Sequence, residues 1–260
     1  MEEQKITIGE RIVNYKIVGQ GQPVLVLHGW GKGSDAWLRF ARFLASKGFQ
    51  VIVPDLPGFG KSEAPASSWA VADYLKFVED FVAAIDPGKF HLIGHSFGGG
   101  LAAVYTAHNP EMVQRLVLVD AAVIRKERLN LRQKVAKVMA AGKGVFMRLP
   151  FAGMMAPMAE RLVYKIAGVH DYQKTSGVMR ETFKNILSED LGLSVGFLKL
   201  PVLVAWGADD KSTPFRDGRE LKQRISGAML EVIEHCGHNP HLTHPAELAR
   251  MADSFFNPRV

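Results

Sequence analysis

Apolar residues along this chain fall into two alternating arrangements: short continuous runs, and stripes spaced three to four residues apart. Ile12 to Val18 and Val24 to Leu27 read as strands, the second so uniformly apolar that burial on both faces is expected. Asp35 to Lys47 reads as a helix, with Ser34 or Asp35 as its cap and Gly48 just past its end. Phe49 to Val53 is a further strand, stopped by Pro54. Trp69 to Ile85 places Tyr74, Phe77, Val78, Phe81, Val82 and Ile85 on one stripe and predicts an amphipathic helix. Phe90 to Ile93 and Arg115 to Val119 are strand-like and bracket a helix-like run from Leu101 to His108. Such alternation predicts an α/β fold: a mostly parallel central sheet flanked by helices on both faces.

Regular alternation then stops. The next persuasive strand is Pro201 to Trp206, too distant for a single βα connection. Residues 121–190 are helix-rich in pattern and contain six of the ten methionines. They read as an inserted helical cap, with 1–120 and 191–260 forming the core. Beyond it, Thr213-Pro214 looks like a helix cap followed by proline in the first turn, Ala228 to Ile233 like a last strand, and Pro245 to Phe256 like a closing helix.

Charge sharpens the picture of the insertion. The chain carries a formal net charge of +6, and between Ala121 and Asp190 thirteen Lys and Arg face six Asp and Glu. The surplus therefore sits in the cap. A basic face attracts anionic partners, but no nucleic-acid motif accompanies it, and a solvated helical surface is the simpler reading. The single cysteine, Cys236, excludes an intrachain disulfide. The N-terminus lacks the basic and apolar pattern of a signal peptide, and no run of about 18 apolar residues predicts a membrane span. A cytoplasmic protein, with no nucleic-acid partner and no membrane span, is expected. Oligomeric state has no signal in the sequence.

The chemistry concentrates in three places. Gly94-His95-Ser96-Phe97-Gly98 follows an apolar run and precedes a helix-like one, so Ser96 is expected at the tip of a tight strand-to-helix turn as a nucleophile. A serine hydroxyl needs a base and an acid that orients the base. Asp209-Asp210 and Gly237-His238 each leave a strand end, and strand ends on one edge of a parallel sheet converge. His28-Gly29-Trp30-Gly31 is a glycine-rich loop able to offer the Trp30 N–H to a developing oxyanion, with the Phe97 N–H as the second donor. His28 is read as shaping that loop, and His95 and Cys236 as packed. The tail His235-Cys236-Gly237-His238-Asn239-Pro240-His241 has metal-binding residue types. It reads as a loop without ligand spacing, so no metal is expected.

These motifs resemble the α/β-hydrolase superfamily from about Ile6 to Phe256. The residues that carry the likeness are His28-Gly29, Asp55-Leu56-Pro57-Gly58-Phe59-Gly60-Lys61-Ser62, the Gly94 to Gly98 elbow, Trp206 to Asp210, and Gly237-His238 with His244-Pro245 behind it. The resemblance implies a serine, acid, histidine order and selects Asp210 over Asp209, giving Ser96, Asp210 and His238 as catalytic residues. It implies a serine hydrolase of carboxylic esters, acting on a small molecule through an acyl-enzyme and without a cofactor; the limited volume that the cap can enclose predicts short to medium acyl chains. A carbon–carbon bond hydrolase of dienoic ketoacids and a non-catalytic ligand receptor share the same likeness. Haloalkane dehalogenases and epoxide hydrolases are disfavoured because they carry Asp where Ser96 stands. Met154 and Met158 of the cap are expected to line an apolar acyl pocket.

Overall fold

A computed structural model of the chain describes residues 2–124 and 175–258. Its strands are β1 (Glu2–Ile8), β2 (Arg11–Val18), β3 (Gln22–Leu27), β4 (Phe49–Pro54), β5 (Phe90–His95), β6 (Val113–Val119), β7 (Val202–Gly207) and β8 (Met229–Ile233). They form one sheet in the order β1-β2-β4-β3-β5-β6-β7-β8. The β1–β2 and β2–β4 pairs are antiparallel, and all the others are parallel. Strand order reverses direction between β3 and β5, which opens a crevice at the carboxyl ends of those two strands.

The continuous apolar runs have a direct structural cause. In β3, Val24 and Val26 face one side, against Trp37, Phe40 and Leu44, together with Leu248, Phe255 and Phe256. Leu25 and Leu27 face the other side, against Tyr74, Phe77, Phe81 and Leu101. Helices α1 (Leu38–Ala45) and α7 (Pro245–Phe256) cover the first face. Helices α2 (Val71–Ile85), α3 (Phe97–His108) and α5 (Phe215–Arg224) cover the second. The other helical elements of the described residues are α4 (Gly177–Ser188), the single turn α6 (Pro240–Thr243) and 3₁₀ turns at Ser34–Trp37 and Ser194–Phe197.

Several elements differ from the sequence reading. Strand β1 was not expected, because its residues Glu2-Glu3-Gln4-Lys5 are polar. It is an edge strand whose Glu3, Lys5 and Thr7 face is exposed while Ile6 and Ile8 pack on the core, and charged residues guard the unpaired edge. The helix expected from Asp35 to Lys47 is a 3₁₀ turn, Ser34–Trp37, followed by the shorter α1. Ser34 does not cap it: its backbone N–H donates to the buried Asp55 carboxylate at 2.5 Å. Trp69 lies before α2, whose N-cap is Ala70, with the Asp73 carboxylate accepting the Ala70 N–H at 2.8 Å. Pro214 is the N-cap of α5 and not part of its first turn. The histidine-rich tail is not wholly a loop, since α6 occupies Pro240–Thr243. Of the expected cap, α4 is described. Met154 and Met158, with the rest of 125–174, lie outside the described residues.

Helix α3 is apolar on all sides because it is buried between the sheet and the segment around Val195. Its glycines set how close it comes. A Cβ at Gly98 would stand 2.3 Å from the Leu27 carbonyl oxygen, and one at Gly99 would stand 2.6 Å from Ala121 Cβ. Gly98→Ala should therefore lower stability by about 1–3 kcal/mol and push α3 off β3. Gly196→Ala, which meets nothing within 4 Å, should change stability by less than about 0.5 kcal/mol. Thermal unfolding of the two variants measures both, and equal midpoints would contradict this account of the helix.

Candidate active site

Ser96 links β5 to α3 with φ 51° and ψ −115°, a backbone conformation that costs a non-glycine residue of order 1–3 kcal/mol. Hydrogen bonds from both sides of the crevice hold it there. The Ser96 N–H donates to the Val119 carbonyl at 3.0 Å, and the Ser96 carbonyl accepts from Gly99, Gly100 and Ala122 N–H groups at 3.0, 3.1 and 2.9 Å. Gly94 makes the bend possible, because a Cβ there would lie 2.5 Å from the Gly98 carbonyl oxygen. The serine side chain is thereby held at the carboxyl edge of the sheet.

His238 follows β8 and reaches Ser96. Its Nε2 lies 3.0 Å from Ser96 Oγ, and its Nδ1 lies 2.7 Å from Asp210 Oδ2. A carboxylate only accepts, so the ring proton sits on Nδ1 and the Nε2 lone pair faces the serine hydroxyl. Asp210, after β7, is buried and well supplied with donors. Its Oδ1 accepts the Ser212 and Thr213 N–H groups at 2.7 and 3.0 Å, and its Oδ2 accepts the Thr213 hydroxyl at 2.7 Å. Burial pushes the Asp210 carboxyl up, but the bonds from His238 and Thr213 outweigh it and hold the group below the usual carboxylate range. Asp209 is exposed.

The loop after β3 is shaped by His28 and Asp55. His28 Nδ1 donates to the Gly29 carbonyl at 2.8 Å, and its Nε2 accepts the Leu56 N–H at 2.9 Å, which fixes a neutral ring. Burial also drives its pKa down, against the smaller pull of that carbonyl and of Asp55. Asp55 accepts from Asn14 Nδ2 and the Lys61 N–H at 2.9 Å each, beside its bond to Ser34. Above this frame, Trp30 N–H and Phe97 N–H donate to no acceptor among the described residues. Phe97 is the first residue of α3, where a helix leaves its amides unpaired. The Trp30 ring contacts Phe59, Phe97 and Phe183 at centroid distances of 4.7, 5.6 and 4.8 Å. Ser96 thus has an aromatic wall next to it.

Behind His238 lies a second layer. His95 is fully buried, and its Nε2 donates to the His238 carbonyl at 2.7 Å, steadying that loop. His241, equally buried, stacks on Trp37 at 4.4 Å, and neither of its ring nitrogens has a hydrogen-bond partner among the described residues. Asp120, the residue after β6, is also buried, and its Oδ1 accepts the Gly207 N–H at 2.9 Å. His95, Asp120 and His238 bring ligand-type atoms within 4.8 Å of one another. Both nitrogens of His238 are already engaged, however, so a metal held there would have to break the bonds to Ser96 or Asp210. Cys236 is buried, and burial raises its thiol pKa.

Thr213, Asp120 and Phe183 were not read as site residues in the sequence, and Phe59 stood only within the motif from Asp55 to Ser62. Thr213 carried the signal of a helix cap, which its bond to Asp210 replaces. Phe183 lay unmarked within the cap pattern. Asp120 directly follows an apolar strand, the same strand-end position that pointed to Asp210.

A family model described as alpha/beta hydrolase fold matches residues 22–245. The chain belongs to that family. It is 27% identical over 266 residues to an uncharacterised protein of Mycobacterium tuberculosis, covering 94% of this chain and 77% of that one. It is 26% identical over 259 residues to the 2-hydroxy-6-oxononadienedioate/2-hydroxy-6-oxononatrienedioate hydrolase of Escherichia coli, covering 87% and 84%. Among solved structures, a bacterial membrane phospholipase A superposes with a TM-score of 0.74 at 27% identity, covering 98% of this chain and 85% of that one. A meta-cleavage product hydrolase from Pseudomonas fluorescens gives 0.72 at 25% identity, covering 98% and 97%. Among the described residues no helix is long and apolar enough to cross a membrane.

The buried histidines make stability depend on pH. Burial pushes His241 down to about 3, from an ordinary value near 6.5. The unfolded chain takes up a proton that the folded protein refuses. The contribution is thus complete above about pH 6.5 and is lost as pH falls towards 3. His241→Phe, which keeps a ring on Trp37, should make the loss of stability between pH 6 and 4 gentler by about 1.4 kcal/mol per pH unit. Denaturant titrations at pH 6, 5 and 4 measure this slope, and an unchanged slope would contradict the assignment.

Proposed function

We propose that this protein is a serine hydrolase of carboxylic esters. The observation that carries the reading is the hydrogen-bonded line from Ser96 Oγ through His238 to Asp210, at 3.0 and 2.7 Å. Ser96 Oγ attacks the acyl carbonyl carbon as its proton passes to His238 Nε2. The resulting imidazolium is stabilised by the Asp210 carboxylate, whose donors keep it ionised. The Trp30 and Phe97 N–H groups receive the oxyanion of the tetrahedral intermediate. Collapse expels the alcohol, which takes its proton from His238 Nε2, and leaves an acyl-Ser96. Water, deprotonated by His238, then attacks that ester, and Ser96 recovers its proton as the acid leaves. Every role is filled by a group of this chain.

The acyl group is read as lying along the aromatic wall of Trp30, Phe97 and Phe183, under a helical cap formed by 121–190. Each methylene moved from water to such a wall is worth up to about 0.8 kcal/mol, roughly fourfold in affinity. A second reading, hydrolysis of a carbon–carbon bond in dienoic ketoacids, is supported by the relatives of that activity at 25–26% identity. The same nucleophile, base and oxyanion donors serve it.

Three outcomes are expected. A fluorophosphonate probe adds one adduct, on Ser96, and Ser96→Ala or His238→Ala loses activity by about 10³-fold or more. Retained turnover in either variant would sink the mechanism. Across p-nitrophenyl esters from acetate to palmitate, kcat/KM climbs with chain length to a maximum at about four to eight carbons, and Phe183→Ala moves that maximum to longer chains. A flat profile unmoved by Phe183→Ala, with fast turnover of a dienoic ketoacid, would favour the second reading. Prolonged chelation leaves turnover unchanged, and a loss restored by zinc would overturn the metal-free scheme.

A further inference from the structure

Away from the crevice, the turn between β1 and β2 meets the amino-terminal part of α2 and leaves a cavity of about 250 Å³. Its buried lining is apolar and consists of Ile8, Trp69 and Phe77. Four further lining residues are charged: Arg11, Asp73, Lys76 and Asp80.

The partners of these four single out one of them. Asp73 accepts the Ala70 N–H at 2.8 Å and sits in the first turn of α2. Lys76 and Asp80 form an ion pair with each other. The Arg11 guanidinium has no hydrogen bond or ion pair among the described residues; it lies 4.9 Å over the Trp69 ring. Stacking fixes the plane of the guanidinium and leaves its in-plane N–H groups able to donate.

Trp69 is itself held firmly. Its N–H donates to Thr182 Oγ1 at 2.9 Å, its carbonyl accepts from Asn185 at 3.3 Å, and its ring meets Tyr74 edge-on at 4.9 Å. An oriented cation without an acceptor, beside apolar walls, matches an anion that carries an apolar body. A carboxylate can take the guanidinium fork with two oxygens while its carbon skeleton covers Ile8, Trp69 and Phe77. The volume, about that of eight water molecules in the liquid, admits only a small molecule. Asp73 and Asp80 restrict its charge, because a phosphate dianion would meet two acids with one unpaired cation to offset them.

We propose that this cavity is a second ligand site, which takes a small carboxylate with an apolar body. It shares no lining residue with the crevice around Ser96, and the inference does not depend on the hydrolase reading.

The probe is sodium hexanoate, titrated into the full chain at constant ionic strength. Proton–nitrogen correlation spectra follow the indole signals, with Trp69→Phe and Trp30→Phe assigning two of them. Hexanoate should move the Trp69 signal saturably. Acetate lacks the body, hexan-1-ol lacks the charge and hexylammonium reverses it, so each should bind there at least about tenfold more weakly. Arg11→Gln should weaken hexanoate by at least about tenfold.

Circular dichroism melts establish that Arg11→Gln is folded. Should it not fold, the comparison of hexanoate with hexan-1-ol and hexylammonium on the unaltered protein decides the matter. A Trp30 signal that moves while Trp69 stays still would place hexanoate in the crevice alone and overturn the proposal. So would inorganic phosphate or hexylammonium binding as tightly as hexanoate, or an Arg11→Gln protein with undiminished affinity.

Discussion

A serine at φ 51° is strained, and the fold around Ser96 is organised to keep it so. The energy comes from backbone groups. The Ser96 N–H is bound by β6, and its carbonyl binds the first turn of α3 and the chain beyond β6. These bonds form only if α3 lies almost on the backbone of β3, which requires a residue without Cβ at position 98. The same close approach brings the Phe97 and Trp30 amides to the crevice. One steric requirement therefore sets the turn at Ser96, the two unpaired amides beside it and the depth of the helix.

Electrostatics completes what sterics begins. The Asp210 carboxylate is buried, yet ionised, because four donors converge on it, while its neighbour Asp120 has one. His28 and His95 are neutral for the opposite reason: no charged partner offsets their burial enough. Charge at the edge of the sheet is thus rationed by hydrogen-bond supply. A site assembled from five strand ends can hold one carboxylate in its interior without accumulating other charges.

Much of this was legible in the sequence, and the reasons are particular. Residues Val24 to Leu27 and Val202 to Trp206 are buried on both faces, so their uniform apolarity is the sheet itself written out. The glycines flanking Ser96 are required by contacts that only a glycine survives, so the turn could be read from them. Strand β1 escaped because only Ile6 and Ile8, at its end, meet the core, too short an alternation to mark a strand. Thr213 escaped because its hydroxyl serves a partner brought close only by folding, and local spacing suggested a cap instead. Asp120 escaped because a single carboxyl at a strand end carries no motif of its own. The selection of Asp210 over Asp209 drew on family spacing. In the structure the Asp210 side chain is buried against His238 and the Asp209 side chain is in solvent.

Helix α4 joins the insertion to the core through contacts that do not depend on the insertion. Thr182 accepts the Trp69 N–H at 2.9 Å, Asn185 donates to the Trp69 carbonyl at 3.3 Å, and Glu189 accepts the Val71 N–H at 3.0 Å. The same helix sets Phe183 against Trp30 and Met179 against the turn at Gly58. In engineering terms, α4 belongs with the scaffold, so a splice upstream of it keeps these contacts. A chimaera that exchanges 125–174 and retains 175–190 would inherit a finished wall on this side of the crevice. One spliced at 190 would have to rebuild the entrance to α2 as well as the pocket.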